Sequence, residues 1–155
     1  CCRFGHNTLR RGLTQVLGRM SNSSTISLEE SQQHGYREFL STLMVLACPP
    51  EEQCELTGDG NTAWDLRDDA LTARYLIGSG LFTVQQETAI HEFLAAIDPV
   101  PVNDMPTGSG RTKNLTAMQH PAWVPIRILA KQLIVSLEPV TQANMAYFKN
   151  FANAP

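Results

Sequence analysis

The sequence predicts an all-α protein: a compact, single-domain bundle of five to six helices around one buried central helix. Helix start and stop signals recur along the chain, and no stretch shows a convincing strand alternation. Residues 121–137, PAWVPIRILAKQLIVSL, are apolar around almost the whole circumference of a helix. A chain of 155 residues with 43% hydrophobic residues can bury a core. We therefore expect one helical domain over residues 1–155.

The apolar residues of 121–137 predict a central helix that its neighbours cover on most sides. One face has the three-and-four spacing of a buried stripe, formed by Trp123, Ile126, Ala130, Leu133, Ile134 and Leu137. Most of the remaining circumference is also apolar, through Val124, Ile128, Leu129 and Val135. Arg127 and Lys131 lie four residues apart on a narrow polar strip, which we expect to face solvent.

Two helices are predicted before the first proline pair. Leu9, Leu13, Val16, Leu17 and Met20 mark one face of the first helix, which the polar stretch SNSST ends. Ser27 and Glu30 have the spacing of a capping box and begin a long second helix. Pro49 and Pro50 are expected to stop it, since proline lacks the backbone donor and clashes with the preceding turn. Residues 49–61 are then an acidic connection.

The middle of the chain predicts a helical hairpin followed by a loop. Thr62 or Asn61 can cap one helix that runs through Ile77, with Trp64, Leu71 and Tyr75 expected in the core. Thr83 and Gln86 repeat the capping-box spacing and begin the next helix, which Asp98 and Pro99 end. Residues 98–114 are rich in Pro and Gly, so we expect a long exposed loop that is more mobile than the helices. A break at Glu138 and Pro139 precedes a short closing helix.

No catalytic, metal or phosphate motif is complete, so we expect no cofactor and no metal. Ser79 and Ser109 each lie in a bare Gly-Ser-Gly, which is typical of a flexible turn, not of a nucleophile elbow. Asp59, Asn61 and Asp65 lie close together, but Ala63 stands where an EF-hand loop needs an oxygen ligand. The sequence leans away from an enzyme.

The cysteine content and the hydropathy of the chain bear on its cellular compartment. Cys48 and Cys54 have a spacing that allows a small disulfide loop, and free thiols are the alternative. No apolar run is long enough to span a membrane, because Arg127 and Lys131 interrupt the strongest candidate. The chain begins at Cys1 without a methionine, so a trimmed or processed N-terminus, or preceding residues, remain open. Our expectation is a soluble, cytoplasmic protein.

The charges are unevenly distributed along the chain. Residues 1–28 contain four arginines and no acid, whereas residues 29–104 contain fourteen acids against three arginines. The densest acidic part predicts a partner-binding surface, formed by Glu51, Glu52, Glu55, Asp59, Asp65, Asp68 and Asp69. Such a surface would attract a basic protein and repel nucleic acid. A merely solvated face is the alternative.

Two functions from different classes follow from these features. The first is a non-catalytic protein-binding module with an acidic surface, such as a bacterial immunity protein that inhibits a toxin; nuclease toxins of that kind have basic active clefts. The second is a helical enzyme or small-ligand carrier that uses a pocket between helices, with Tyr75, Glu87 or His91 as polar groups. A toxin reading frame next to the gene would favour the first, and a metabolic operon the second.

Overall fold

The computed structural model describes residues 26–58 and 60–152, and every regular element in these residues is helical. The all-α prediction is therefore confirmed for the described part of the chain. The predicted helix with Leu9 and Met20 lies outside it. The described residues contain seven α-helices, whereas five to six were expected for the whole chain: α1 (Leu28–Leu46), α2 (Pro50–Thr57), α3 (Thr62–Leu71), α4 (Val84–Ile97), α5 (Arg111–Met118), α6 (Trp123–Ser136) and α7 (Glu138–Ala152).

Helix α1 begins where the sequence predicts and supplies a large part of the core. The Oγ of Ser27 accepts a hydrogen bond from the backbone N–H of Glu30 at 3.0 Å, which is the serine half of the expected capping box. Four large side chains of one α1 face are fully buried: Tyr36, Phe39, Leu43 and Leu46. The helix ends at Leu46, shortly before the two prolines.

The expected connection at 49–61 is wrong in one respect, because most of it forms the extra helix α2. Pro50 is the first residue of α2 and Pro49 precedes it in an extended conformation. Proline fits the first helical turn, where its missing N–H would have no intrahelical partner. The proline pair therefore ends α1 and also begins α2.

Asn114 on α5 anchors the beginning of α3. The N-cap residue of α3, Asn61, makes no side-chain cap hydrogen bond. Instead, Oδ1 of the buried Asn114 accepts from the backbone N–H of Thr62 at 3.0 Å, and its Nδ2 donates to the carbonyl of Gly60 at 2.6 Å. This side chain thereby satisfies backbone groups at the start of a helix that lies far from it in sequence.

Two details of the predicted hairpin differ from the expectation. Helix α3 ends at Leu71, and a 3₁₀ turn follows at Thr72–Tyr75, so the ring of Tyr75 is 80% exposed and does not face the core.

The capping box of α4 is confirmed in both directions. The Oγ1 of Thr83 accepts from the backbone of Gln86, and the side chain of Gln86 accepts from the backbone of Thr83.

Residues 98–114 contain both buried and exposed parts. Val102–Asp104 form a 3₁₀ turn, and the side chains of Val100, Val102 and Met105 are buried. Residues 106–109 are exposed, and α5 begins at Arg111. The exposed part is thus shorter than the predicted loop, because three apolar side chains hold its first half against the core.

Within the described residues, helix α6 packs mainly against α1 and α4, which cover part of its circumference. The predicted buried face is present, with Trp123, Ile126, Ala130, Leu133 and Leu137 in the core. On the opposite side, the described residues do not confirm the expectation that neighbours cover most of the helix. There Val124, Ile128 and Val135 are 53%, 53% and 75% exposed.

The polar contacts at the two ends of α6 show that it runs antiparallel to α1. The hydroxyl of Tyr36 donates to the carbonyl of Leu137, just after α6, at 3.3 Å. Near the other end, the buried Gln53 donates to the carbonyl of Leu46 and accepts from Arg127. The first half of α1 therefore lies beside the C-terminal end of α6.

Helix α7 is longer than the predicted closing helix. It begins at Glu138, so Pro139 lies in its first turn, where proline is tolerated. Its contacts with α1 include a 2.7 Å hydrogen bond between the hydroxyls of Tyr36 and Thr141. The Nδ2 of Asn144 also donates to the backbone and the side chain of Gln33.

Candidate protein-binding surface

The predicted acidic residues lie on two helices. Glu51, Glu52 and Glu55 are on α2, and Asp65, Asp68 and Asp69 are on α3. All six are exposed except Glu52, which is half-buried. Asp59 lies outside the described residues. The two helices place their carboxylates in different electrostatic surroundings.

The carboxylates of α2 lie beside cations from the later helices. Glu55 forms a salt bridge with Arg111 at 2.9 Å, and both side chains are more than half exposed. Burial lowers the pKa of Arg127, and the negative charge of Glu51 acts in the opposite direction. The α2 part of the predicted surface is therefore partly compensated within the chain.

The carboxylates of α3 lie beside a further acid that the sequence analysis did not include. Burial raises the pKa of Asp69, and the charges of Asp65, Asp68 and Glu38 raise it further. Glu38 belongs to α1, which packs directly against α3. We call Glu38, Asp65, Asp68 and Asp69 the α1–α3 acidic surface.

The arginine within this run of acids compensates only part of the surface. Arg67 donates two hydrogen bonds, at 3.2 and 2.7 Å, to the carbonyl of Asp98 at the end of α4. It also forms salt bridges with Asp68 at 3.3 Å and with Asp98 at 3.6 Å. Its guanidinium is therefore directed toward the end of α4 and the exposed Asp68.

The position of the acids on α3 is also unfavourable for the helix itself. Asp65 lies in the first turn, where the helix dipole favours a negative charge, but Asp68 and Asp69 lie in the last turn. No basic residue accompanies them in that turn. Burial, like charges and the helix dipole thus all oppose ionisation of Asp69, although the residue is exposed.

The polar groups proposed for a ligand pocket do not converge in the structure. Tyr75 and His91 are exposed, and the Oε1 of Glu87 accepts a hydrogen bond from the backbone N–H of Gly78 at 2.8 Å. Gly78 has a φ of 75°, so Glu87 holds a left-handed turn before α4. In the described part of the chain, no cluster of three or more His, Cys, Asp or Glu could hold a metal ion.

The two cysteines with loop spacing are not joined by a disulfide. Cys48 and Cys54 are both buried. The thiol of Cys48 donates to the carbonyl of Met44 at 3.2 Å. Burial raises the pKa of Cys54, which keeps it in the thiol form at neutral pH. The structure therefore gives both residues packing roles.

Comparisons with protein-family models, curated proteins and solved structures found no match for this chain. Among residues 26–58 and 60–152, no helix has both the length and the apolar character needed to cross a membrane.

Proposed function

We propose that this chain is a non-catalytic protein-binding module of the bacterial cytoplasm, whose acidic surface binds a basic protein. A toxin domain inhibited in the manner of an immunity protein is the specific form of the proposal. The helices would act as a single scaffold organised around α6, and the carboxylates of α1 and α3 would supply the recognition.

The grouping of four exposed carboxylates on the packed helices α1 and α3 is the observation that carries the proposal. Burial raises the pKa of Asp69, and the charges of Asp65, Asp68 and Glu38 raise it further, as expected for like charges that lie close together. Such a group of like charges opposes folding, since their repulsion is absent or weaker in the unfolded chain. A basic partner would remove this repulsion on binding, so the same charges that disfavour the free fold would favour the complex.

The α2 carboxylates should contribute less to binding than the α1–α3 acidic surface. Because Glu55 already pairs with Arg111, its contribution to a partner would require exchange of one ion pair for another. Exposed pairs of this kind contribute roughly 0 to 1 kcal/mol. We therefore expect the α1–α3 acidic surface to dominate attraction and α2 to add little.

The test compares two triple variants that remove the same charge from different places. Asp65→Asn, Asp68→Asn and Asp69→Asn together remove three charges from the surface. Glu29→Gln, Glu92→Gln and Asp104→Asn remove three exposed carboxylates elsewhere, none of which makes a side-chain hydrogen bond described above. Affinity capture from the native host with the wild type and both variants identifies a protein that depends on the surface and not on net charge.

Association rates with the captured protein across a salt series then test whether the acidic surface acts through electrostatic attraction. The surface variant should associate more slowly than the wild type at low salt. The difference should shrink as the screening length falls to about 8 Å near physiological ionic strength. Equal rates for all three proteins at low salt, with unchanged circular dichroism, would reject the acidic surface and favour a ligand-binding role instead.

A further inference from the structure

Two side-chain donors near the start of α6 are shielded from solvent and have no hydrogen-bond acceptor among the described residues. One is the indole Nε1–H of Trp123, the first residue of α6, whose side chain is fully buried. The other is the Nε–H of Arg127, about one helical turn further along. A buried N–H group without an acceptor costs free energy, and native proteins rarely leave one in that state. Both donors therefore indicate a ligand that accepts hydrogen bonds.

The two donors belong to the part of α6 that follows the turn from α5. The Nη2 of Arg127 donates to the carbonyl of Met118, the last residue of α5, and Trp123 begins the next helix. Residues four apart lie above one another on a helix, so Trp123 and Arg127 share one side of α6. The backbone N–H groups of Trp123 and Val124 already donate to residues of the turn. The donors that remain for a ligand are therefore side chains.

The charge at this position is positive, and within the described residues no carboxylate forms a salt bridge with Arg127. Its two acceptors, the side chain of Gln53 and the carbonyl of Met118, are uncharged. Burial lowers the pKa of Arg127, while the charge of the exposed Glu51 on α2 acts in the opposite direction. A partly desolvated cation without a paired carboxylate is stabilised when an anion binds beside it.

We propose that a small monovalent anion, of the chloride type, binds between the indole N–H of Trp123 and the Nε–H of Arg127. An anion accepts from both donors and needs no acceptor of its own, whereas a water molecule also needs acceptors for its hydrogens. One guanidinium balances one negative charge, so a divalent anion would leave a buried charge uncompensated. The bound anion holds the start of α6 beside the end of α5. This site shares no residue with the α1–α3 acidic surface, so the inference does not depend on the proposed function.

The test follows the indole N–H signals of the full chain by proton–nitrogen correlation NMR while chloride replaces the bulky anion gluconate at constant ionic strength. The chain contains two tryptophans, so Trp64 on α3 is an internal control, and Trp64→Phe assigns the two signals. We expect a saturable shift of the Trp123 signal and no comparable shift of the Trp64 signal. A Trp123 signal that stays fixed, or that drifts in parallel with Trp64, would overturn the proposal. An equal, saturable response to sulfate would contradict the monovalent charge.

Two substitutions on α6 show whether the guanidinium holds the anion. Arg127→Lys keeps the positive charge but lacks the Nε donor, and Lys131→Gln removes an exposed charge one turn away. Chloride should bind Arg127→Lys about tenfold more weakly than the wild type, because one charge-assisted hydrogen bond is lost. Lys131→Gln should bind chloride as the wild type does. Unchanged affinity in Arg127→Lys, or equal weakening in both variants, would refute the assignment.

A substitution of the indole tests the second donor without changing the charge. Trp123→Phe keeps an aromatic ring in the core but has no N–H group. It should abolish the saturable, chloride-dependent broadening of the chlorine NMR signal, whereas Trp64→Phe should retain it. Broadening that persists in a folded Trp123→Phe variant would assign the anion to another site. The wild-type titration decides the proposal independently, so the test holds even where a variant fails to fold.

Discussion

Replacement of Arg127 by Leu should destabilise the fold far more than its place in a predicted polar strip suggests. The Nη2 of Arg127 donates to Oε1 of Gln53 at 3.3 Å and to the carbonyl of Met118. Gln53 is fully buried, and its Nε2 donates to the carbonyl of Leu46 at 3.0 Å. One guanidinium thus connects α6 with α2 and with the end of α5, and through Gln53 with the end of α1.

The expected loss of stability follows from the two hydrogen-bond acceptors that Arg127→Leu leaves without their donor. Each buried polar group that loses its hydrogen bond costs about 1 to 3 kcal/mol. Part of this loss of stability is offset, because the half-buried guanidinium charge no longer has to be desolvated in the folded state. We therefore expect a loss of about 2 to 4 kcal/mol in the free energy of unfolding, a large fraction of the stability of a small domain.

The assay is urea unfolding followed by circular dichroism, with Lys131→Leu as the matched control. Lys131 is exposed one turn further along the same helix, so its replacement should change stability by no more than about 0.5 kcal/mol. A double-mutant cycle of Arg127→Leu with Gln53→Leu should show a coupling of about 0.5 to 3 kcal/mol, because the double variant leaves neither partner unpaired. Equal effects of the Arg127 and Lys131 variants, or strict additivity in the cycle, would refute the reasoning.

Four further predictions use the same unfolding assay. Asn114→Ala should cost about 2 to 4 kcal/mol, since its amide satisfies Thr62 and Gly60 at the start of α3, and a loss below that of an ordinary surface variant would contradict this role. Thr83→Ala should cost about 1 kcal/mol through the loss of the α4 cap, while an unchanged midpoint would show the cap to be dispensable. Leu133→Ala should cost about 2 to 5 kcal/mol, because it leaves a cavity in the core. Val135→Ala on the exposed side of α6 should change stability by less than about 0.5 kcal/mol. Similar losses for the two variants would mean that both sides of α6 are covered. Asp69→Asn should stabilise the fold at neutral pH, because the pKa of Asp69 is raised in the folded state. The native state then binds the proton more tightly than the unfolded chain, so the penalty is full above the folded pKa and disappears as pH falls below the unfolded one. A pH series of wild type and variant checks this, and a gain that grows toward acidic pH would contradict it.

The features that the sequence predicts well are those that helix geometry alone determines. The capping box of Thr83 and Gln86 is an example, because both hydrogen bonds join residues three apart. The buried face of α6 is another, since helical spacing alone brings Trp123, Ala130 and Leu133 to one side. Local geometry decides both cases, and no tertiary contact changes the outcome.

The features that the sequence misses depend on contacts between distant segments. Asn114 replaces the local cap of α3 from another helix, and no spacing rule relates it to Thr62. Glu38 joins the acids of α3 only because α1 packs against α3. The one local signal was its exposed, helical position four residues after His34, which is equally typical of an ordinary solvated helix face.

Arg127 shows why the apolar pattern alone could not decide how far the buried side of α6 extends. A guanidinium carries enough donors to satisfy buried carbonyls, so it can lie at an interface where a lysine would remain in solvent. The sequence places Arg127 and Lys131 on one strip, but the structure buries much of Arg127 against α2 and α5 while Lys131 stays exposed.

The charges of the α1–α3 acidic surface make stability and binding separable by experiment. Asp69 lies where burial, neighbouring carboxylates and the end of α3 all disfavour its charge, and Asp69→Asn should therefore stabilise the free protein. Proteins commonly keep such residues where function needs them, at a cost in stability. If Asp69→Asn both stabilises the fold and slows association with a basic partner, the carboxylate is retained for recognition. If it stabilises the fold and leaves association unchanged at low salt, Asp69 has no part in recognition, and the remaining surface acids must carry any attraction.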